Sequence, residues 1–169
     1  MDLPELNALP DAGALELFGA CLGVRGWAAR MAGSRPYATS TEMLAAAERA
    51  FDDVASGDWK DAILRHPRIG ESRAAVTTGA REDEWSKEEQ SAARGADAAT
   101  RTAIATANAE YEARFGYRFI VCATGKGAAE VLQDLRARLP NDDATELLVT
   151  AGELRRIARL RLARLVPGA

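Results

Sequence analysis

The chain has 169 residues, the usual size of one domain, and its 22 basic and 25 acidic side chains give a net charge of −3. An isoelectric point of about 5.3 gives no general electrostatic reason to bind nucleic acid or an anionic membrane, so small molecules or proteins are the expected partners. Cys21 and Cys122 are too few and too separated for a disulfide framework or a metal-binding knuckle, which favours reduced core residues in a cytoplasmic protein. The first residues lack a signal-peptide pattern, and no window holds the roughly 18 apolar residues that span a bilayer.

Helix-forming residues dominate the first half of the chain, because Ala, Leu, Glu and Arg recur in long windows. Asp11 is predicted to cap the first helix. The predicted helices run from Asp11 to about Leu22, from Val24 to Gly33, from Glu42 to about Ser56, and through Trp59 to Leu64. The last of these ends before His66, because a residue that precedes proline is pushed out of the α region.

The second half is also predicted to be helical. Helices are expected from Ser86 to Phe115 with a break near Gly95, from Ala128 to Leu139, and from a cap at residues 141–143 to Val166. Gly116 is a natural helix terminator. Residues 117–122 form the one β-like run, which is either a short strand or a buried extended connector, and residues 68–84 form a long surface excursion. The predicted fold is a compact, all-α, single-domain helix bundle over residues 1–169, without a significant β-sheet.

His66 is the only histidine, and it stands directly before Pro67. Imidazole is the side chain whose unperturbed pKa lies nearest neutrality, so one histidine supports one proton-transfer role but not a multi-histidine metal site. A lone histidine is more often structural, and position alone leaves that alternative open.

Ser86 and Glu89 have the spacing of a capping box, in which the hydroxyl and the carboxylate each bind a free amide at the start of a helix. This structural explanation is sufficient by itself. The same helix N-terminus also offers N–H groups to a carboxylate-bearing substrate.

Arg161 lies near the apolar stripe of the predicted last helix. At steps of about 100°, six apolar residues share one direction within about 60°, and Arg161 lies about 40° from it. The six are Leu147, Ala151, Leu154, Ala158, Leu162 and Leu165. A guanidinium there must either extend to the surface or find an anion. Arg161 is therefore a candidate carboxylate clamp, with a bidentate geometry that lysine lacks.

Four ordered motifs together resemble one known family. They are His66-Pro67, then Ser86-x-x-Glu89-Gln90, then Arg114-Phe115-Gly116-Tyr117 with Phe119-Ile120-Val121-Cys122-Ala123, and finally Glu153-x-x-x-Ile157-x-x-x-Arg161-Leu162. Leu6-Asn7, Gly26-Trp27 and Arg35-Pro36-Tyr37 are similar too, with Tyr37 where the family usually has Phe. The chain resembles 2-oxo-4-hydroxy-4-carboxy-5-ureidoimidazoline (OHCU) decarboxylase, the last enzyme of the urate-to-allantoin route.

The resemblance implies an all-α, cofactor-free domain that often forms a homodimer and acts on a small anionic heterocycle. It implies that His66 is the catalytic acid/base and that Glu89 and Arg161 complete the catalytic group. The residues that it places against the substrate are Pro67, Ser86, Glu89, Gln90, Phe119, Ile120, Val121, Cys122, Ala123 and Arg161. No metal and no cofactor are expected, since the electrons released with CO2 pass to the adjacent imine-like carbon of the substrate.

Two other classes of function remain open from the sequence. A non-catalytic helical module for ligand binding or protein interaction explains the amphipathic helices equally well, but gives no reason for Arg161 to face inward. A metal hydrolase is disfavoured by the single histidine and the lack of a ligand cluster. The final residues are not a peroxisomal tripeptide, which favours a cytoplasmic setting.

Overall fold

The computed structural model describes residues 1–69, residue 85 and residues 96–167. The helices in these ranges are α1 (Leu3–Ala8), α2 (Asp11–Leu22), α3 (Arg25–Gly33), α4 (Ser40–Phe51), α5 (Ser56–Arg65), α6 (Ala98–Phe115), α7 (Ala128–Arg138) and α8 (Asp143–Leu165). No strand occurs in this described part of the chain. The all-α prediction is therefore confirmed, whereas the single-domain organisation stays a prediction.

The chain divides into two compact units. The first comprises Met1–Ala62 and Arg155–Ala169, and the second comprises Ile63–Leu154. Across the described ranges, no helix is both long enough and apolar enough to cross a membrane.

Helix α1 is an element that the sequence reading missed. Asp2 and Glu5 form a reciprocal capping box, in which each carboxylate accepts the other residue's backbone N–H at 2.8 Å. Pro4 lies in the first turn, where its missing N–H costs no helical hydrogen bond. The Asp-x-x-Glu spacing was a usable signal, but six residues are too few to show helical periodicity.

Two helix starts differ from the prediction. Asp11 is the first residue inside α2 and not its cap, since Pro10 holds the N-cap position, and the Asp11 carboxylate accepts a hydrogen bond from Arg35 at 2.9 Å. Helix α4 begins at Ser40 because the hydroxyl of Thr39 caps it, and it ends at Phe51, earlier than the predicted Ser56. A hydrogen bond from Val54 N–H to the Phe51 carbonyl closes a turn at this end.

Aromatic packing builds the core of the first unit. The ring of Trp27 stacks on Phe51 with centroids 5.3 Å apart, and Phe18 meets Trp27 edge-on at 6.4 Å. The indole N–H of Trp27 donates to the Ala47 carbonyl at 3.3 Å. Arg155 of α8 lies over Phe51, with 5.3 Å between its guanidinium carbon and the ring centroid. These contacts join α2, α3, α4 and the C-terminal half of α8.

Two segments near the start of the chain are joined by reciprocal hydrogen bonds. The amide of Asn7 donates to the Tyr37 carbonyl at 2.8 Å and accepts the Tyr37 backbone N–H at 2.9 Å. The Tyr37 hydroxyl donates to the Met31 carbonyl at 2.6 Å, and burial raises the pKa of Tyr37 to about 12. Arg35 donates to the Leu6 and Leu9 carbonyls. The Leu6-Asn7 and Arg35-Pro36-Tyr37 motifs therefore hold α1 in place.

Gly116 ends α6 in the left-handed region, with φ of 74°, and its N–H donates to the Glu112 carbonyl at 2.9 Å. Residues 117–123 then continue without helix or strand, and most of their side chains are buried. We call this segment the connector. Of the two alternatives that the sequence left open, the short strand is therefore not formed, and the segment is a buried connector.

We expect Gly116→Ala to lower the free energy of unfolding by about 1 kcal/mol, because a Cβ at this positive φ is strained even though no heavy atom lies within 4 Å of it. Gly152→Ala is the matched control. Its Cβ also meets open space, but Gly152 lies inside α8, so the alanine should stabilise by roughly 0.5–1 kcal/mol. Urea unfolding of both variants measures the two opposite effects, and equal effects would contradict the assignment.

Candidate active site

His66 begins a short turn, residues 66–69, directly after α5. Its backbone N–H donates to the Ile63 carbonyl at 3.1 Å, which closes the last turn of the helix. The residue is buried, with 9% of its surface exposed, and Pro67 after it is half-buried. The predicted position of His66 at the end of a helix is confirmed.

Hydrogen bonds within the second unit hold this turn at both ends. Arg118 of the connector donates from one nitrogen to two carbonyls, at 2.7 Å to His66 and at 3.0 Å to Leu64. At the far end, the side-chain amide of Asn108 on α6 donates to the Ile69 carbonyl at 3.2 Å. The backbone that carries His66 is therefore tied to the connector and to α6.

Arg68 adds a third anchor. Its Nε and Nη2 donate to the two carboxylate oxygens of Glu112 at 2.6 and 2.7 Å, which is the bidentate arrangement that favours arginine over lysine. These hydrogen bonds hold the pKa of Glu112 below its usual value of 4.5. The pair joins the His66 turn to the last turn of α6.

This ion pair predicts a pH-dependent stability. Because the pKa of Glu112 is lower in the folded state, the stabilisation is complete above the unfolded value of 4.5 and is lost as the pH falls through the folded value. We expect Glu112→Gln to cost about 1 kcal/mol or less at pH 7, because both side chains are partly exposed, and less still near pH 3. The exposed Glu110 on the same helix provides the control variant Glu110→Gln. Urea unfolding at both pH values measures the effect, and a cost for Glu112→Gln that does not vary with pH would exclude this account.

The connector is held on its backbone by two side chains that the sequence reading gave no such role. The guanidinium of Arg138 donates to the Ile120 carbonyl at 2.7 Å, and the Cys122 N–H donates to the Glu153 carboxylate at 2.8 Å. Among the proposed substrate contacts here, the buried ones are Phe119, Ile120, Val121 and Ala123, whereas Cys122 is half-buried. The burial of these four side chains explains why this part of the sequence is apolar. Cys122 is more accessible to a ligand than the four buried residues are.

Arg138 belongs to a buried polar network of Tyr111, Arg138, Glu146 and Thr150. Glu146 is fully buried and accepts hydrogen bonds from Arg138 Nε, at 2.8 Å, and from the Tyr111 hydroxyl. Arg138 also donates to the Thr150 hydroxyl at 2.8 Å. Burial, and then the bond to Glu146, raises the pKa of Tyr111 well above its usual value. The network pairs two charges that would be costly if they were buried alone.

Arg161 lies in the first unit and is buried, with 2% of its surface exposed. Its Nη1 donates to the Ala20 carbonyl of α2 at 3.2 Å. The predicted inward direction of this residue is confirmed, and the alternative in which it extends to the surface is wrong.

The remaining predicted site residues, Ser86, Glu89 and Gln90, lie outside the described residues. In the second unit the structure brings the His66 turn and the connector together through Arg118. The sequence reading missed this role of Arg118 and the pairing of Arg138 with Glu146. Neither has a local sequence signal, because Arg118 lies 54 and 52 positions from its acceptors and because Arg138 and Glu146, eight positions apart, belong to different helices.

The described groups suit proton transfer on a small polar molecule. The imidazole of His66 is shielded from bulk water, and hydrogen bonds hold the backbone that carries it. Such a group can accept or deliver a proton in a set direction. A buried arginine such as Arg161 has donors that match a carboxylate.

The chain is similar to known proteins along nearly its whole length. Residues 7–163 match the model of a family described as OHCU decarboxylase. The 2-oxo-4-hydroxy-4-carboxy-5-ureidoimidazoline decarboxylase of Haloferax volcanii is 26% identical, over 96% of this chain and 95% of that protein. The uric acid degradation bifunctional protein of Arabidopsis thaliana is 30% identical over 86% of this chain, which spans 45% of the length of that relative.

A solved structure gives the same result for the fold. The crystal structure of OHCU decarboxylase in the presence of (S)-allantoin has a TM-score of 0.76 and 30% identity to this chain, and covers 89% of this chain and 96% of its own. The family match extends over nearly the whole sequence. The chain belongs to the OHCU decarboxylase family.

Proposed function

We propose that this chain decarboxylates OHCU to (S)-allantoin and CO2 without a cofactor, as the last step from urate to allantoin. The observation that carries the proposal is the family match over residues 7–163. The crystal structure of the related decarboxylase with (S)-allantoin supports the identity of the product.

In this proposal His66 is the acid/base. As the bond between the substrate carbon and its carboxylate breaks, CO2 leaves and the electron pair forms a double bond to the adjacent, ureido-bearing imine carbon. The π electrons of the imine move to its nitrogen, which takes up a proton, and an enol results. His66 then takes the proton of the enol hydroxyl, and the ureido-bearing carbon is protonated from one face to give (S)-allantoin. The burial of His66 and the anchoring of its backbone support this role, because a mobile imidazole could not select one face.

Glu89 and Arg161 are proposed to complete the catalytic group. Arg161 orients the carboxylate or a carbonyl of the substrate, which its burial supports, and Glu89 orients the imidazole of His66. The N–H groups near Ser86 and Gln90 are proposed to bind the substrate anion. Pro67 and the connector residues 119–123 complete the substrate contacts, with Cys122 the more accessible side chain among those of the connector.

The test generates OHCU in place from urate with the two preceding enzymes and follows the circular dichroism of allantoin. With this protein present, we expect a rapid signal of the S enantiomer and faster loss of the OHCU absorbance. Heat-denatured protein at the same concentration is the control. A racemic product at the spontaneous rate, with protein shown to be folded, would instead support the non-catalytic helical module.

We also propose a cytoplasmic location and a homodimer. The sequence holds only two cysteines, which are too few and too separated for a disulfide framework, and this supports a reducing compartment. Light scattering coupled to size exclusion measures the mass in solution. A mass near the 18.1 kDa of one chain would exclude the dimer.

A further inference from the structure

The end of α5 places two carbonyls where the helix supplies no donor for them. The last carbonyls of a helix lack intrahelical partners, and the partial negative charge there favours a cation. Arg118 meets both needs at once, because its Nη1 binds the carbonyls of Leu64 and His66 at 3.0 and 2.7 Å. It reaches them from a position 54 residues away from Leu64 in sequence.

The carbonyl of His66 matters because Pro67 follows it. Proline has no N–H, so the peptide after His66 offers no donor that could anchor it. A guanidinium on the His66 carbonyl holds the plane of that peptide and so limits the backbone rotation at His66. This rotation sets the direction of the Cα–Cβ bond and therefore of the imidazole.

Arg118 also links two parts of the proposed site. It lies in the connector, where Arg138 holds the Ile120 carbonyl and Glu153 holds the Cys122 N–H. Because residues 120 and 122 are anchored in this way, the backbone of Arg118 in the same segment has little freedom to move. The side chain of Arg118 thus joins the connector, which carries proposed substrate contacts, to the His66 turn.

We propose that Arg118 is a positioning residue that aims the imidazole of His66 by holding the peptide between His66 and Pro67. The inference rests on the proposed function for its effect on catalysis, but the orientation of His66 can be measured without any activity. Arg118 itself is not assigned a contact with the substrate.

The test compares Arg118→Met with Arg114→Met. Methionine keeps much of the volume of arginine but has no donor. Arg114 is the matched control, because it also donates to a backbone carbonyl, that of Asn141 at 2.6 Å, in a different loop. We expect Arg118→Met to lower kcat about tenfold to a hundredfold with little change in KM, as for a small misplacement of a catalytic group. Arg114→Met should keep the kcat of the unmodified chain.

The second readout is the nuclear magnetic resonance signal of the imidazole. The chain has one histidine, so the Cε1–Hε1 correlation of untagged protein comes from His66 alone. We expect this signal to broaden or split in Arg118→Met and to stay single and sharp in Arg114→Met. The Arg118→Lys variant keeps the positive charge, but its single ammonium group sits on a side chain of different length. Its kcat should therefore lie between those of Arg118→Met and the unmodified chain.

The outcomes separate the two proposals. If the unmodified chain lacks activity, the proposed function fails, and the imidazole signal still decides the role of Arg118. A folded Arg118→Met variant with unchanged kcat and an unchanged signal overturns the inference. Should Arg118→Met fail to fold, Arg118→Lys decides: a lowered kcat at constant KM with a perturbed signal supports the inference, and values equal to those of the unmodified chain overturn it.

Discussion

His66→Ala is expected to lower kcat for (S)-allantoin formation by about 10²- to 10⁴-fold, the usual contribution of one positioned acid/base. His66 is the only imidazole in the chain, so no second histidine can take over the proton transfer. Substrate binding should be affected less, because the proposed anion contacts lie on other residues. Stopped-flow circular dichroism on freshly generated OHCU measures both kcat and the enantiomer of the product.

Two controls separate proton transfer from packing. His66→Gln keeps a polar side chain of similar length that does not titrate near neutral pH, and it should lose as much rate as His66→Ala. Added imidazole should restore part of the rate to the alanine variant, because removal of the ring leaves a space of similar size. A folded His66→Ala variant that forms (S)-allantoin at the original rate would falsify the role given to His66.

Glu146→Ala is expected to lower the free energy of unfolding by about 3–5 kcal/mol, the largest stability effect that we predict. Glu146 is fully buried, and its removal leaves the guanidinium of Arg138 buried without its carboxylate. The same change frees Arg138 to leave the Ile120 carbonyl, so the connector should loosen as well. Urea unfolding at neutral pH measures the first effect, and amide hydrogen exchange of residues 117–123 measures the second.

A surface ion pair provides the matched control. Glu48 and Arg159 form an ion pair at 2.7 Å, but their side chains are 40% and 52% exposed, so Glu48→Ala should cost about 1 kcal/mol or less. The double variant Arg138→Met with Glu146→Leu should be more stable than Glu146→Ala, because it removes both buried charges together. If Glu146→Ala cost no more than Glu48→Ala, the buried network would not contribute as we describe.

Local sequence signals predicted most of the secondary structure. The bounds of α2, α3 and α7 lie within one residue of the prediction, and Gly116 ends α6 as expected. These agree because propensity, periodicity and capping act over a few neighbouring residues. Helix α1 was missed because it is too short for periodicity, and Asp11 was misassigned because Pro10 takes the capping position.

The family was also predicted from the sequence and is confirmed by the match over residues 7–163. The motifs were sufficient to predict the family because their order and spacing can be read along the chain without knowledge of their contacts in the folded protein. The inward direction of Arg161 followed from helical geometry alone, and the structure buries it. The catalytic and binding roles of the individual residues remain proposals.

The amino-acid sequence by itself determined the helical class, the family and the isolation of a single histidine, since each depends on local composition or on order along the chain. Only the tertiary structure decided what holds that histidine and the connector. Arg118 binds the His66 carbonyl across 52 positions, and Arg138 binds the Ile120 carbonyl across 18. The acceptors are backbone carbonyls, which every residue carries, so the side chains that recognise them become identifiable only when folding brings them together.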